Sequence, residues 1–231
     1  EKGQFQWGDG GASGNLRSNI KKAADLLDDD ELLYYATDGK EGTPISFTSK
    51  LLPESKRASM RDNWTDNGVS AMMIGFSGRN HGHSFGNSMS LYAYGRLLFG
   101  LYGVLSYDVS QGWNYYLMYR QRSQNTVEIN GIGGIKTGNG DISMNSNQRM
   151  DHFTNTVDVY KDLYDRDHTR QVTFIKNNKK FYIVSDFLNA NGREDSALYD
   201  QAWTPLADAN LTLDEDTKIA KTNFQTGANV A

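Results

Sequence analysis

At 231 residues the chain is long enough to bury a sizeable core, as one large domain or two small ones. Its formal net charge of -4, without a basic stripe, excludes the clustered Lys and Arg that nucleic-acid binding requires. No apolar run approaches the roughly 20 residues that a membrane-spanning helix needs, and the absence of cysteine excludes disulfides and thiolate metal sites. The hydrophobic fraction of 38% is low, but 13 tyrosines and 4 tryptophans offset it with rings suited to covering pleated sheet.

The first residues are glycine-rich around Trp7-Gly8-Asp9. From Leu16 to Tyr35 the apolar positions Leu16, Ile20, Ala23, Ala24, Leu27, Leu32 and Leu33 form one stripe and predict a single helix. Ser13 or Asn15 is placed to cap it and Gly39 to end it, and Asp28-Asp29-Asp30-Glu31 is expected as an exposed turn in this region. Beyond Pro53 the pattern changes to strands, expected at 58–62, 69–76, 88–99, 126–130, 153–160, 170–176, 180–187 and 210–213. Turn residues separate them, including Ser77-Gly78, Asn130-Gly131 and Asn191-Gly192. Asn177-Asn178, between Gln171–Lys176 and Lys179–Val184, predicts a tight hairpin, and Gly131–Asn147 a long surface loop. Short strands without intervening helices favour a mainly β, antiparallel sandwich with one N-terminal helix. The expected division is 1–52 for the helix and linker and 53–231 for the sandwich.

Two of the four histidines lie in Arg79-Asn80-His81-Gly82-His83. Residues two apart on a strand project to one face, so both imidazoles are expected to line one cleft. With a fixed cation and a neutral amide beside them, they form a group suited to holding a carboxylate. An HxH pair alone also fits a structural loop. The tyrosines Tyr92, Tyr94, Tyr107, Tyr115, Tyr116 and Tyr119 are read first as sheet-packing rings, and His152 and His168 as solvated or structural.

The stretch from His81 to Arg96, His-Gly-His-Ser-Phe-Gly-Asn-Ser-Met-Ser-Leu-Tyr-Ala-Tyr-Gly-Arg, resembles the H-G-H-x-D-x-x-S-x-x-L-Y-x-Y-G-R signature of the heparinase II/III-like superfamily of polysaccharide lyases. Three further motifs follow the same order: Leu52-Pro53-Glu54-Ser55 with Met60-Arg61-Asp62-Asn63-Trp64 upstream, then Gln124–Gly131, then Thr169-Arg170-Gln171-Val172 with Phe181–Asp186. The resemblance covers about Leu52 to Asp186 and implies the sandwich part of a toroid-plus-sandwich enzyme. It places His81 at the active cleft, with Arg79, Asn80 and Asn125 as substrate-binding residues. It also implies that the base and acid for β-elimination come from an N-terminal α/α-toroid domain, of which one helix here is no sign.

The same resemblance makes His83 a zinc ligand, but its expected partners are Leu101 and Gln124. Leucine cannot ligate and glutamine is a poor zinc ligand, so the zinc site is expected to be degraded unless Asp108 or His152 replaces them. No cofactor is certain, and a divalent metal stays open. The expected substrate is an anionic uronic-acid polysaccharide, with alginate first and heparin- or chondroitin-type glycosaminoglycans second. A non-catalytic carbohydrate-binding or structural module is the alternative. The resemblance favours a bacterial protein that is secreted or periplasmic, and Glu1 in place of methionine suggests a processed or excised piece.

Overall fold

The computed structural model describes residues 16–65, 67–75, 86–101, 108, 110, 112, 121–131, 140–158, 166–192, 196–205 and 209–223. The N-terminal stripe folds as two helices rather than one, α1 (Leu16–Leu27) and α2 (Asp30–Ala36). The break falls in the acidic run. Asp28 is left-handed (φ 53°), and Asp29 caps α2 by accepting from the Leu32 amide at 2.9 Å. The carboxylates expected in a solvated turn thus end one helix and start the next. Beyond Thr37, Gly39 (φ 76°) returns its amide to the Tyr34 carbonyl at 2.8 Å and stops the chain there.

The strands form two principal antiparallel sheets. The first contains β1 (Lys50–Leu52), β2 (Arg57–Arg61), β3 (Val69–Ile74), β4 (Ser88–Ala93) and β5 (Arg96–Phe99), in chain order. A 3-10 turn (Gln121–Gln124) leads into β6 (Val127–Ile129). The second sheet contains β7 (Asp141–Ser146), β8 (Met150–Val157), β9 (Asp167–Ile175) and β10 (Phe181–Asn189), ordered β10-β9-β8-β7. Then β11 (Tyr199–Gln201) pairs with β6, and β12 (Asn210–Asp214) pairs with β13 (Ile219–Asn223).

The long strand expected over 88–99 is a hairpin, turned at Tyr94 (φ 51°) and Gly95 (φ 83°) with Ala93 opposite Arg96. Two left-handed residues make the primed turn that matches strand twist; the apolar residues on either side conceal it in the sequence. The expected Gly131–Asn147 loop contains β7, whose polar Asp-Ile-Ser-Met-Asn-Ser places only Ile142 and Met144 against the core. The hairpin around Asn177-Asn178 forms, but Ile175 pairs with Phe181, so the loop has five residues rather than two.

The two sheets bury Ala58, Met60, Ala71, Met73, Met89, Leu98, Phe153, Val172 and Phe174 between them. Period-2 alternation produces this: on β8 and β9 every second residue is buried. The helical pair attaches through Trp64. Its ring meets Tyr35 and Phe47 edge-on at 5.7 and 5.8 Å, carries the Arg61 guanidinium 3.7 Å above it, and donates its indole N–H to the Phe47 carbonyl. Trp64→Ala should release α1–α2 from the sheet while the sandwich persists. Hydrogen exchange would then speed up in residues 16–37 and remain slow in β8 and β9; equal acceleration everywhere would contradict a local anchoring role.

Candidate functional site

The inner face of β9 runs His168, Arg170, Val172, Phe174, so the space between the sheets is apolar at one end and polar at the other. At the polar end, register sets Asp186, Arg170 and Asn155 side by side on β10, β9 and β8. Arg170 is fully buried. Its Nε and Nη2 donate to the two Asp186 oxygens at 2.7 and 2.9 Å. Its Nη1 donates to the carbonyls of Asn87 at 2.7 Å and Asn125 at 2.6 Å. Trp203 covers the guanidinium at 5.6 Å. This bidentate pair is the strong kind of charge-assisted contact, and it neutralises a charge that burial alone would penalise heavily.

Asn87 and Asn125 are both left-handed, with φ of 59° and 53°, a conformation asparagine tolerates better than most residues. Asn87 Nδ2 donates to the His168 carbonyl at 3.0 Å. Asn155 Nδ2 donates to the Gly75 carbonyl at 2.8 Å and to Asn87 Oδ1 at 2.6 Å. Thr126 Oγ1 donates to the Gly86 carbonyl at 3.0 Å. These bonds close on Gly75 and Gly86, the residues flanking the sequence that contains His81 and His83. Beside them, Glu128 is buried and ion-paired with Arg122 at 2.8 Å, and Arg122 also pairs with Asp200 on β11.

Of the residues expected to act, Arg79, Asn80, His81 and His83 lie outside the described residues. Asn125 is described, and it is fully buried. Its Nδ2 donates to the Met89 and Gly100 carbonyls at 2.9 and 2.8 Å, and its Oδ1 accepts from the Thr204 amide and hydroxyl at 2.7 and 2.6 Å. All four of its side-chain bonds are spent inside the protein, which replaces the expected substrate contact with a structural tie. Leu101 is a core residue at 4% exposure. Gln124 is buried and donates to Ser123 Oγ at 3.0 Å. Asp108 accepts from Ser110, and His152 spans Thr173 and Thr154 at 2.9 and 3.2 Å on the sheet surface. A leucine in the ligand set does not fit zinc, and the described residues contain no group of three or more His, Asp or Glu able to hold a metal. Tyr92 packs in the core and Tyr94 makes the β4–β5 turn; the other four tyrosines lie outside the described residues.

No family model matches the chain. Over 201 residues, 85% of its length, it is 26% identical to the heparin-sulfate lyase of Pedobacter heparinus, and it spans 29% of that protein. Its fold is similar to that of heparan sulfate lyase HepC from Pedobacter heparinus, with a TM-score of 0.81 and 22% identity over 93% of this chain and 33% of that one. It is similar also to heparinase III, with a TM-score of 0.83 and 17% identity over 99% of this chain and 37% of that one. The chain is homologous to the heparin and heparan sulfate lyases. The heparinase II/III-like resemblance carried by its ordered motifs is thereby supported, and the chain corresponds to about a third of its lyase relatives.

Sequence reasoning missed His168 and Asp186 as partners in this heparinase-like sheet. His168, expected to be solvated or structural, is fully buried and meets Asp186 Oδ1 through Nε2 at 2.7 Å. Burial would raise the Asp186 carboxyl, but hydrogen bonds from His168 and Arg170 and the guanidinium charge outweigh it and hold the group well below the usual carboxylate range. Burial pushes the His168 imidazole below its ordinary 6.5, against the opposing hydrogen bond to Asp186. The unfolded chain therefore binds a proton at His168 that the folded chain resists, so stability falls as pH drops through 6.5. Asp186 works on a lower window: its stabilisation is complete above the ordinary carboxylate range and is lost only as pH falls below it. Thermal melts from about pH 7.5 down to about pH 5 should show a falling Tm, with a shallower fall in His168→Gln. An unchanged slope in that variant would refute the assignment to His168.

Proposed function

We propose that this chain is the sheet portion of a polysaccharide lyase that cleaves a heparin- or heparan-type glycosaminoglycan by β-elimination. The observation that supports it is the homology to heparin and heparan sulfate lyases, which extends over most of the chain. The sequence-based preference for alginate finds no support among these relatives. The glycosaminoglycan alternative takes its place. A secreted or periplasmic location, where such a polymer is met, belongs to the same reading.

The reaction removes the proton at C5 of a uronate, forms the C4–C5 double bond and expels the 4-O-linked sugar. Charge develops on the carboxyl group as the proton leaves. In this reading His81, with Arg79 and Asn80, binds that carboxylate and stabilises the developing charge. The base and acid come from a helical domain elsewhere in the polypeptide, which accords with the relatives being about three times the length of this chain.

The test is formation of unsaturated uronate, followed by its ultraviolet absorbance, with the full-length protein on heparan sulfate, chondroitin sulfate and alginate. The expected result is turnover of the heparan polymer, lowered roughly 10²–10³-fold by His81→Ala, the usual cost of losing one such donor. Turnover of alginate alone would overturn the substrate class. A wild-type rate in His81→Ala would overturn the role of His81.

A further inference from the structure

The junction between the helical pair and the first sheet gathers positive charge, in a chain whose formal net charge is -4. On β2, Arg57, Ser59 and Arg61 project to the outer face, opposite the buried Ala58 and Met60, and register sets Lys50 of β1 beside Ser59. Diagonal neighbours on an antiparallel pair stand about 7–8 Å apart, so Lys50 is within reach of Arg61. Rings carry the cations: Arg61 lies over Trp64 at 3.7 Å, Lys50 over Phe47 at 5.1 Å, and Arg17 of α1 over Tyr35 at 5.3 Å. Among the described residues, the strands of the first sheet place no carboxylate on this face; beyond Arg61 come Ser70 and then Tyr92. The neighbouring carboxylates have other partners: Asp38 pairs with Arg17, Asp62 with Lys180 and Asp151 with Lys176. Arg61 donates from Nη2 to Ser59 Oγ at 2.9 Å, while its Nε is buried with no hydrogen-bond partner. A guanidinium keeps its charge at any ordinary pH, and burial works against that charge here. Among the described residues, no carboxylate offsets the cost at Arg61 or balances Lys50.

We propose that Arg61 and Lys50 form a subsite that holds a sulfate group of a heparan-type chain, at the junction of the helices and the first sheet. The guanidinium fork and the ammonium supply charged donors to a tetrahedral oxyanion, and Ser59 lies between them. Phe47, 37% exposed beside Lys50, offers apolar surface to a sugar ring. The subsite rests on the reading of the substrate as a sulfated glycosaminoglycan, and it extends that reading. β-Elimination engages the uronate carboxylate and leaves the sulfates unchanged, so their charge is balanced away from the bond that breaks.

Affinity and turnover are measured separately on the full-length protein, with heparan sulfate and with an unsulfated polymer of the same sugar backbone. Arg61→Gln removes the fork. Lys50→Gln alters an exposed side chain, and decides the matter alone if Arg61→Gln fails to fold. Lys221→Gln, exposed on β13, is the control for the same change in net charge. The Kd for heparan sulfate should rise roughly two- to fivefold in Lys50→Gln and on the order of tenfold in Arg61→Gln. Lys221→Gln should keep the wild-type value, and all four proteins should bind the unsulfated polymer equally weakly. Wild-type affinity in the folded Lys50 and Arg61 variants would overturn the subsite, while turnover of heparan sulfate would keep the lyase reading. An equal loss on the unsulfated polymer would overturn the sulfate assignment in favour of a carboxylate. Heparan sulfate binding that depends on Lys50 and Arg61, without turnover of any polymer, would support the subsite and sink the lyase reading instead.

Discussion

A single guanidinium, buried between two sheets, ties together distant stretches of this chain. Arg170 cannot lose its charge, so it must be fully paired to be buried at all. Its partners come from separate stretches of the chain: Asp186 on β10, the carbonyl of Asn87 at the head of β4, the carbonyl of Asn125 before β6, and the ring of Trp203. Asn125 extends the connection to Met89, Gly100 and Thr204. Breaking one member leaves others buried and unsatisfied, which makes the network cooperative rather than a sum of pairs.

The interior of the sandwich therefore has two ends with different physics. Around Phe153, Val172 and Phe174 it is an ordinary apolar core that stabilises by burial. Around Arg170, Asn155 and His168 it is a hydrogen-bonded junction that specifies where backbone segments lie. Gly75 and Gly86, the described residues that flank the H-G-H motif in the sequence, are both held at the second end. Side chains of β8 and β9 hold the backbone there, Asn155 at Gly75 and Arg170 at Asn87.

Much of this was legible in the sequence. The antiparallel sandwich follows from period-2 patterning and turn residues, and the relationship to lyases from four ordered motifs. Other features were hidden for definite reasons. Tyr94 gives no sign of a left-handed turn, and β7 has too few apolar residues to mark a strand. A two-residue turn at Asn177-Asn178 would set Arg170 opposite Ser185; the observed five-residue loop shifts the register by one and sets it opposite Asp186. One residue of slip moves a side chain to the other face of a sheet, so the central ion pair was invisible until the loop length was known. Asn125, prominent in its motif, resembled a ligand-binding residue because a buried structural amide and a substrate-facing one look alike in sequence.

The central claim is that this sheet presents His81 to the carboxylate of a uronate in a heparin-type polymer. A crystal structure of the full-length protein with a heparan sulfate oligosaccharide, solved in a base-deficient variant, tests it most directly. The account predicts a uronate carboxylate within hydrogen-bond distance of the His81 ring, with the Asn155 bridge from Gly75 to Asn87 intact. An oligosaccharide bound productively elsewhere, with His81 away from every carboxylate, would contradict it.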